Sequence, residues 1–216
     1  MFFDRENFKK IAEILRAGKI CVLPTDTIFG FSAAIFAAKN LSRLKNRRPK
    51  KPFLMLFPDF LAAEKAVDFS ELARHFFANI DEPTTFVLPR KKGAFPDFFP
   101  DENFLAIRVP KKKILVKFLH FFGAPILSTS VNFADEKPLF EFFEIQKRFP
   151  EIPIFAPREN FFSQKSSPIV KIVGEKVQIL RGEKIFCDKI KKNQDDFLRA
   201  QKIHNSLLEK GKFWKN

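Results

Sequence analysis

Between Leu23 and Gly30 the chain places two threonine hydroxyls, a carboxylate and a glycine directly behind a short apolar run. Thr25, Asp26 and Thr27 can exchange hydrogen bonds with a polar ligand, and Gly30 reads as a hinge for the backbone. The alternative is an Asx or Ser/Thr turn whose side chains satisfy local backbone only. Four further segments put polar groups beside apolar runs. From Lys45 to Pro52 several cations precede a strand, and lysine and arginine donate charge-assisted hydrogen bonds to phosphate oxygens. Arg108 lies inside an apolar strand just before Pro110, where it needs either a bound anion, such as a substrate carboxylate, or a salt bridge. Ser128, Thr129, Ser130 and Asn132 form a hydroxyl-rich turn suited to phosphate or nucleotide atoms, or to capping a helix. Ser166 and Ser167, with Arg181, bracket two more strands.

The elements that must position these groups alternate. Asp4 caps a helix with apolar residues Phe8, Ile11, Ile14 and Leu15 at helical spacing, ended by Gly18. Residues 19–23 read as a buried strand stopped by Pro24. A small apolar segment, 31–38, and a basic helix near Asn40 to Asn46 follow. Strands are expected at 53–57, 85–88, 104–109, 125–127, 152–155, 169–173 and 177–180, and helices from Asp59, at 70–79, 112–121 and 139–149. This mixture describes an α/β sheet flanked by helices, with antiparallel pairing near its C-terminal end. Polar clusters then sit at strand ends, where open α/β sheets collect ligands. Beyond Arg181 the chain is basic with helical spacing at Phe197, Ile203 and Leu207, and reads as a loosely docked appendage.

Composition bounds what such a chain can be. At 216 residues with 45% hydrophobic content, a single domain with a tail is the expectation. Cys21 and Cys187 are far apart and without clustered histidines, which points to neither a disulfide framework nor a zinc site. His75, His120 and His204 fall in helical patterns and read as structural or surface residues. The N-terminus carries acids where a signal peptide needs bases, and no apolar run approaches the ~20 residues of a membrane span, so a cytoplasmic protein is expected. A net charge of +14, with seven basic residues and no acid between Lys39 and Lys51, favours a polyanionic partner or substrate.

Taken in order, the five clusters resemble the YrdC-like family of threonylcarbamoyl-AMP synthases, called TsaC in bacteria. Pro24 to Gly30 (PTDTIFG) is similar to the family's PT(D/E)TxYG, Lys45 to Arg47 to its KxR, and Thr85 to Leu88 to the end of its PGPxTxxL. Ile107 to Pro110 is similar to its RxP, and Ser128 to Asn132 (STSVN) to its STSAN. The likeness covers roughly residues 8–182 and fits the short form of the family. It implies a YrdC-like twisted mixed β-sheet flanked by helices, with a ligand cleft at the strand ends. The implied domains are a catalytic unit over 1–182 and a basic, helical appendage over 183–216.

The implied activity is that of a nucleotidyltransferase joining L-threonine, bicarbonate and ATP into threonylcarbamoyl-AMP, with release of pyrophosphate and Mg2+ expected beside the ATP. Carried over, Thr27, Arg108 and Ser167 hold threonine, with Arg108 on its carboxylate. Lys45, Arg47, Ser128, Ser130, Asn132 and Arg181 hold ATP, and Lys45 and Arg47 take the catalytic role. The carbamate of threonine attacks the α-phosphorus, which calls for positioning and charge neutralisation rather than a covalent nucleophile. The product feeds a separate tRNA threonylcarbamoyl transferase, and any RNA binding by this chain is expected to be weak and sequence-independent. The family's glycines are replaced at Glu82 and Asp135, its tyrosine by Phe29, and its single arginine is doubled at Arg47 and Arg48. The loop geometry at the two lost glycines is thereby left open. Two other readings are a non-catalytic RNA-binding relative and a carbamoyl-adenylating module of the hydrogenase-maturation type, whose zinc-binding cysteines are missing from this sequence.

Overall fold

In a computed structural model, residues 1–46, 53–95, 103–157 and 165–212 are described, with the side chains of 204–212 excepted. Eight strands form one mixed sheet: β1 (Cys21–Pro24), β2 (Phe29–Ala34), β3 (Leu54–Leu56), β4 (Thr85–Pro89), β5 (Phe104–Arg108), β6 (Ile126–Ser130), β7 (Ile169–Val173) and β8 (Lys176–Arg181). Their spatial order is β1-β2-β6-β3-β5-β4-β7-β8. The β3/β5 and β4/β7 pairs are parallel and the remaining five are antiparallel. Seven α-helices flank the sheet: α1 (Phe8–Arg16), α2 (Ala38–Leu44), α3 (Phe60–Glu64), α4 (Glu71–Asn79), α5 (Lys113–Phe122), α6 (Phe142–Arg148) and α7 (Lys184–Lys212).

Side chains alternate across a strand, so neighbouring residues feed two separate cores. Cys21, Leu23, Leu56 and Ile126 point to one face and pack with Phe8, Ile11 and Leu15 of α1 and Leu115, Phe118 and Leu119 of α5. Val22, Phe31, Met55, Phe57 and Ile107 point to the other, where α2, α3, α4, α6 and the start of α7 contribute Leu41, Ala63, Phe76, Ile145, Phe186 and Ile190. Phenylalanine fills much of the first core: Phe8 meets Phe118 edge-on at 5.3 Å, and Phe3 meets Phe118 at 5.8 Å.

Local chemistry sets several boundaries. The side chains of Asp59 and Ser70 accept hydrogen bonds from the backbone of Ala62 and Ala73, capping α3 and α4. Asp4 caps a single 3-10 turn that leads into α1. Pro24 does not stop β1 short but occupies its last paired position, opposite Phe29. The small apolar segment 31–38 divides between the end of β2, which starts at Phe29, a 3-10 turn at Ile35–Ala37 and the first residue of α2, and the expected strand at 152–155 forms only isolated bridges, such as Val22 with Ile154. The helix expected from Leu139 starts at Phe142.

The C-terminal helix enters the core through two residues. Phe186 and Ile190 are buried, with Ile190 only 1% exposed, and the Phe197 ring lies 5.3 Å from that of His75 on α4. Lys189 also donates to the Glu82 carboxylate, tying α7 to the loop before β4. Ile190→Ala should therefore destabilise the whole fold by about 2–4 kcal/mol, the range for truncating a buried aliphatic side chain. Urea denaturation will read this as a lowered midpoint with an unchanged slope, and a midpoint equal to wild type would show that α7 contributes nothing to the core.

Candidate active site

The two faces of the sheet are not covered alike. On the α1/α5 face those helices cover only part of the strands, and the remainder forms a cleft of about 430 Å³. Strand register explains its lining. Gly30 pairs with Ser130, Leu54 with both Ser128 and Ala106, and Thr85 with Ile169, which in turn opposes Arg181. Paired residues share a face, and so do residues two apart, so this row presents Ser128, Ser130, Arg108, Thr85 and Arg181 together. The cleft expected at the strand ends thus lies across the sheet face. Ser128, Ser130, Arg108, Thr85 and Arg181 are strand residues, and Thr25, Thr27, Asn132, Ser166 and Ser167 join them from the adjoining turns.

At the cleft floor is Arg108, 3% exposed. Its Nη1 donates to Asp26 Oδ1 at 2.8 Å and to Thr27 Oγ1 at 3.3 Å, and its Nη2 donates to Thr85 Oγ1 at 2.9 Å. The Asp26 side chain is equally buried, and its other oxygen accepts from the Lys111 backbone N–H at 3.2 Å. Arg108 Nε is buried and has no hydrogen-bond partner among the described residues. Of the two sequence readings of Arg108, the structure contains the salt bridge. Thr25 belongs to the turn itself: its hydroxyl donates to Ile28 O at 2.6 Å and accepts from the Thr27 and Ile28 backbone N–H groups.

Thr85 Oγ1 lies 2.9 Å from Ser167 Oγ. Arg181 Nε donates to Ser167 O at 2.8 Å and its Nη2 approaches Ser167 Oγ at 3.4 Å. Desolvation, with the like charge of Arg108, holds the Arg181 pKa below the usual guanidinium range. Asp26, Arg108, Thr85, Ser167 and Arg181 form one chain of contacts carrying two cations and one anion. A second group gathers at the end of β6. Lys45, 4% exposed, donates to Ser130 O at 2.8 Å and Asn132 Oδ1 at 2.7 Å, and Ser130 Oγ donates to the same Asn132 oxygen at 2.6 Å. Asn132 Nδ2 in turn donates to Phe133 O and Glu136 O, both at 2.7 Å. Lys45 is thereby placed behind the loop that carries Ser130 and Asn132.

Of the residues expected from sequence, Thr27, Arg108, Ser128, Ser130, Asn132, Ser167 and Arg181 all line the one cleft. Arg47 and Arg48 lie outside the described residues. Neither Asp26 nor Thr85 is among the site residues that the resemblance assigns. Their signals were an acid inside the first polar turn and a threonine opening a strand, and they meet Arg108 from 82 and 23 residues away. Of the two lost glycines, Asp135 keeps a left-handed backbone at φ 64°, which aspartate tolerates better than most side chains. Glu82 is absent from the positive-φ residues and needs no glycine.

Gly30 is not a hinge. It sits within β2, and a Cβ built there would lie 2.5 Å from Ser128 Oγ, so its missing side chain lets β2 and β6 close beneath the cleft.

The arrangement is an open α/β sheet whose face carries a cleft lined by two guanidinium groups and a row of hydroxyls. Residues 13–182 match the Sua5/YciO/YrdC family model, described as "Telomere recombination", and the chain belongs to that family. It is 30% identical over 145 residues to a threonylcarbamoyl-AMP synthase of Methylococcus capsulatus, covering 64% of this chain and 77% of the relative. To the enzyme of the same name from Photobacterium profundum it is 26% identical over 153 residues, covering 68% and 83%. The fold is that of P. abyssi Sua5 complexed with L-threonine, at a TM-score of 0.72 and 21% identity; the match covers 82% of this chain and 54% of the other, so the chain spans about half of that protein's length.

Gly30→Ala should displace Ser128 and destabilise the fold by about 1–3 kcal/mol, as overpacking does. Wild-type stability together with an unchanged cleft would refute the close-approach role. Lys112, beside Asp26, offers a pH test. Burial lowers its pKa from 10.5 to about 8 although Asp26 acts the other way. Between those two values the unfolded ammonium holds a proton that the folded one has released, so this residue makes stability rise with pH across that window. Lys112→Met should remove that rise in urea titrations at alkaline pH.

Proposed function

We propose that the chain is a threonylcarbamoyl-AMP synthase, a nucleotidyltransferase that converts L-threonine, bicarbonate and ATP to threonylcarbamoyl-AMP and pyrophosphate. The observation that carries the reading is the buried Arg108, set among hydroxyls in the same cleft as a second arginine. The names of the relatives and the threonine complex of P. abyssi Sua5 support it. Thr27, Arg108 and Ser167 are assigned to threonine, with its carboxylate against Arg108. Ser128, Ser130, Asn132 and Arg181 are assigned to ATP, with Arg47. Lys45 acts through the loop it fixes, holding Ser130 and Asn132 toward the nucleotide.

The chemistry needs two bond-forming steps. The threonine amine, having lost its proton to solvent, attacks the carbon of carbon dioxide released from bicarbonate, giving a carbamate. A carbamate oxygen then attacks the α-phosphorus, and the bond to pyrophosphate breaks. Both partners are anionic, so cations that hold them in line lower the barrier by positioning and charge neutralisation. Magnesium bound to the phosphate oxygens of ATP would add to that neutralisation.

The adenylate is then a cytoplasmic substrate for a tRNA threonylcarbamoyl transferase. Contact of this chain with RNA is weak and sequence-independent, carried by the basic excess of residues 184–216, nine Lys or Arg against four Asp or Glu. The catalytic unit is residues 1–182, completed by the first turns of α7, and the rest of that helix is its appendage.

Threonine-dependent pyrophosphate release by the purified chain, given ATP, magnesium and bicarbonate without RNA, tests the reading directly. Arg108→Lys keeps the charge but loses the planar fork and should raise the threonine KM by roughly 10- to 100-fold, equivalent to about 1.5–3 kcal/mol. The ATP KM should stay within about threefold, since a partner lost at one subsite acts chiefly there. Pyrophosphate release by the wild type that ignores threonine would sink the assignment.

A further inference from the structure

Thr85 is 3% exposed and sits between the two cationic ends of the cleft. Its strand is already held on both sides, by Phe86 opposite Ile107 and Thr85 opposite Ile169, so register does not require its hydroxyl. We propose that Thr85 is a positioning residue that couples the threonine subsite to the nucleotide subsite, an inference that rests on the synthase reading.

The coupling follows from proton bookkeeping along the relay. Arg108 Nη2 can only donate, so Thr85 Oγ1 accepts from it at 2.9 Å. Ser167 Oγ is 2.9 Å from the same oxygen, and Arg181 Nη2 approaches Ser167 Oγ at 3.4 Å. With Arg108 on one lone pair of Thr85 Oγ1, either hydroxyl can donate to the other; in the arrangement where Thr85 donates, the Ser167 proton is free for an acceptor in the cleft. A carboxylate that draws Arg108 toward itself loosens the first link and changes how the Ser167 hydroxyl and Arg181 are presented. Linked hydrogen bonds polarise one another, and Arg181 faces the nucleotide end, so threonine binding is felt there. By reciprocity the nucleotide must alter threonine affinity by the same factor.

Binding measurements test this without turnover. The affinity of a non-hydrolysable α,β-methylene ATP analogue is measured by calorimetry with and without saturating L-threonine. In the wild type threonine should tighten the analogue about 5- to 50-fold, the usual span for such coupling. Thr85→Val keeps the branched shape and removes both hydrogen-bond roles. It should bind the analogue alone within about threefold of wild type yet show less than about twofold coupling, whereas Thr85→Ser should retain the full effect. Thr85→Ala also removes both hydrogen-bond roles and should likewise abolish coupling, which serves if Thr85→Val does not fold. Coupling of wild-type size in either relay-breaking variant, or none in the wild type, overturns the proposal. Absence of threonine-dependent pyrophosphate release overturns the synthase reading instead, so the two failures are distinguishable.

Discussion

A guanidinium at 3% exposure, on a strand whose neighbouring residue faces the apolar core, is the constraint around which the cleft is organised. Taking such a charge out of water is expensive unless an anion and several acceptors receive it. Asp26 supplies the anion at 2.8 Å, and Thr27 and Thr85 supply the acceptors. The demand therefore reaches beyond the strand that carries Arg108. It requires the turn between β1 and β2 to fold onto the end of β5, and it requires β4 to present a hydroxyl at its first residue. Removing the arginine altogether would strand a buried carboxylate, so Arg108→Ala confounds binding with stability in a way that a lysine at this position does not.

The second buried cation is handled differently and builds a different part of the cleft. Lys45 gives two hydrogen bonds to neutral oxygens of the β6 loop, and Ala134 N–H returns one to Lys45 O at 2.8 Å. A flexible ammonium can follow a curved loop in a way that a planar guanidinium cannot. The loop needs such support, because Asp135 adopts a left-handed conformation that glycine would occupy without strain. Glu82 shows the opposite outcome of losing a glycine: its backbone is ordinary and its carboxylate is used, pinning α7 to the loop before β4 through Lys189. The Lys189 ammonium holds the Glu82 pKa below its usual value, although this is an exposed pair and contributes little by itself. Its effect is to fix where α7 begins, and Phe186 and Ile190 do the rest.

How much of this could be read from the chain depended on whether local pattern or remote packing decides each feature. Runs such as 53–57 and 104–108 are apolar and β-branched or aromatic, and they formed strands where pattern alone placed them. The segment FGFSAA of β2 is weak by propensity, and its strand state comes from pairing on both edges with β1 and β6. Ile152 to Phe155 has strand composition but forms only isolated bridges: Val22 N–H donates to Pro153 O and Phe155 N–H to Val22 O, and Pro153 has no N–H with which to extend the ladder. The five polar clusters could be picked out as chemistry-bearing, but their common face could not, because that depends on register across seven strand pairs. The same holds for Asp26 and Thr85, whose meeting with Arg108 is a property of the folded sheet. The apolar residues of α7 were visible at helical spacing, yet nothing local said which of them would be buried.

Placing the polar row on strands rather than loops has an energetic consequence. Strands β6, β5 and β4 are hydrogen-bonded along both edges, so the side chains of Ser128, Arg108 and Thr85 start from backbone that is already fixed. Ligand binding then loses side-chain freedom but little backbone freedom, which would otherwise amount to roughly 1–2 kcal/mol per residue ordered. The geometry needed to bring a carbamate oxygen in line with a phosphorus tolerates little misplacement, and a rigid row meets that need directly. The same rigidity explains why the relay from Arg108 to Arg181 can transmit a change: with the backbone held, the hydroxyl protons are what remain free to rearrange.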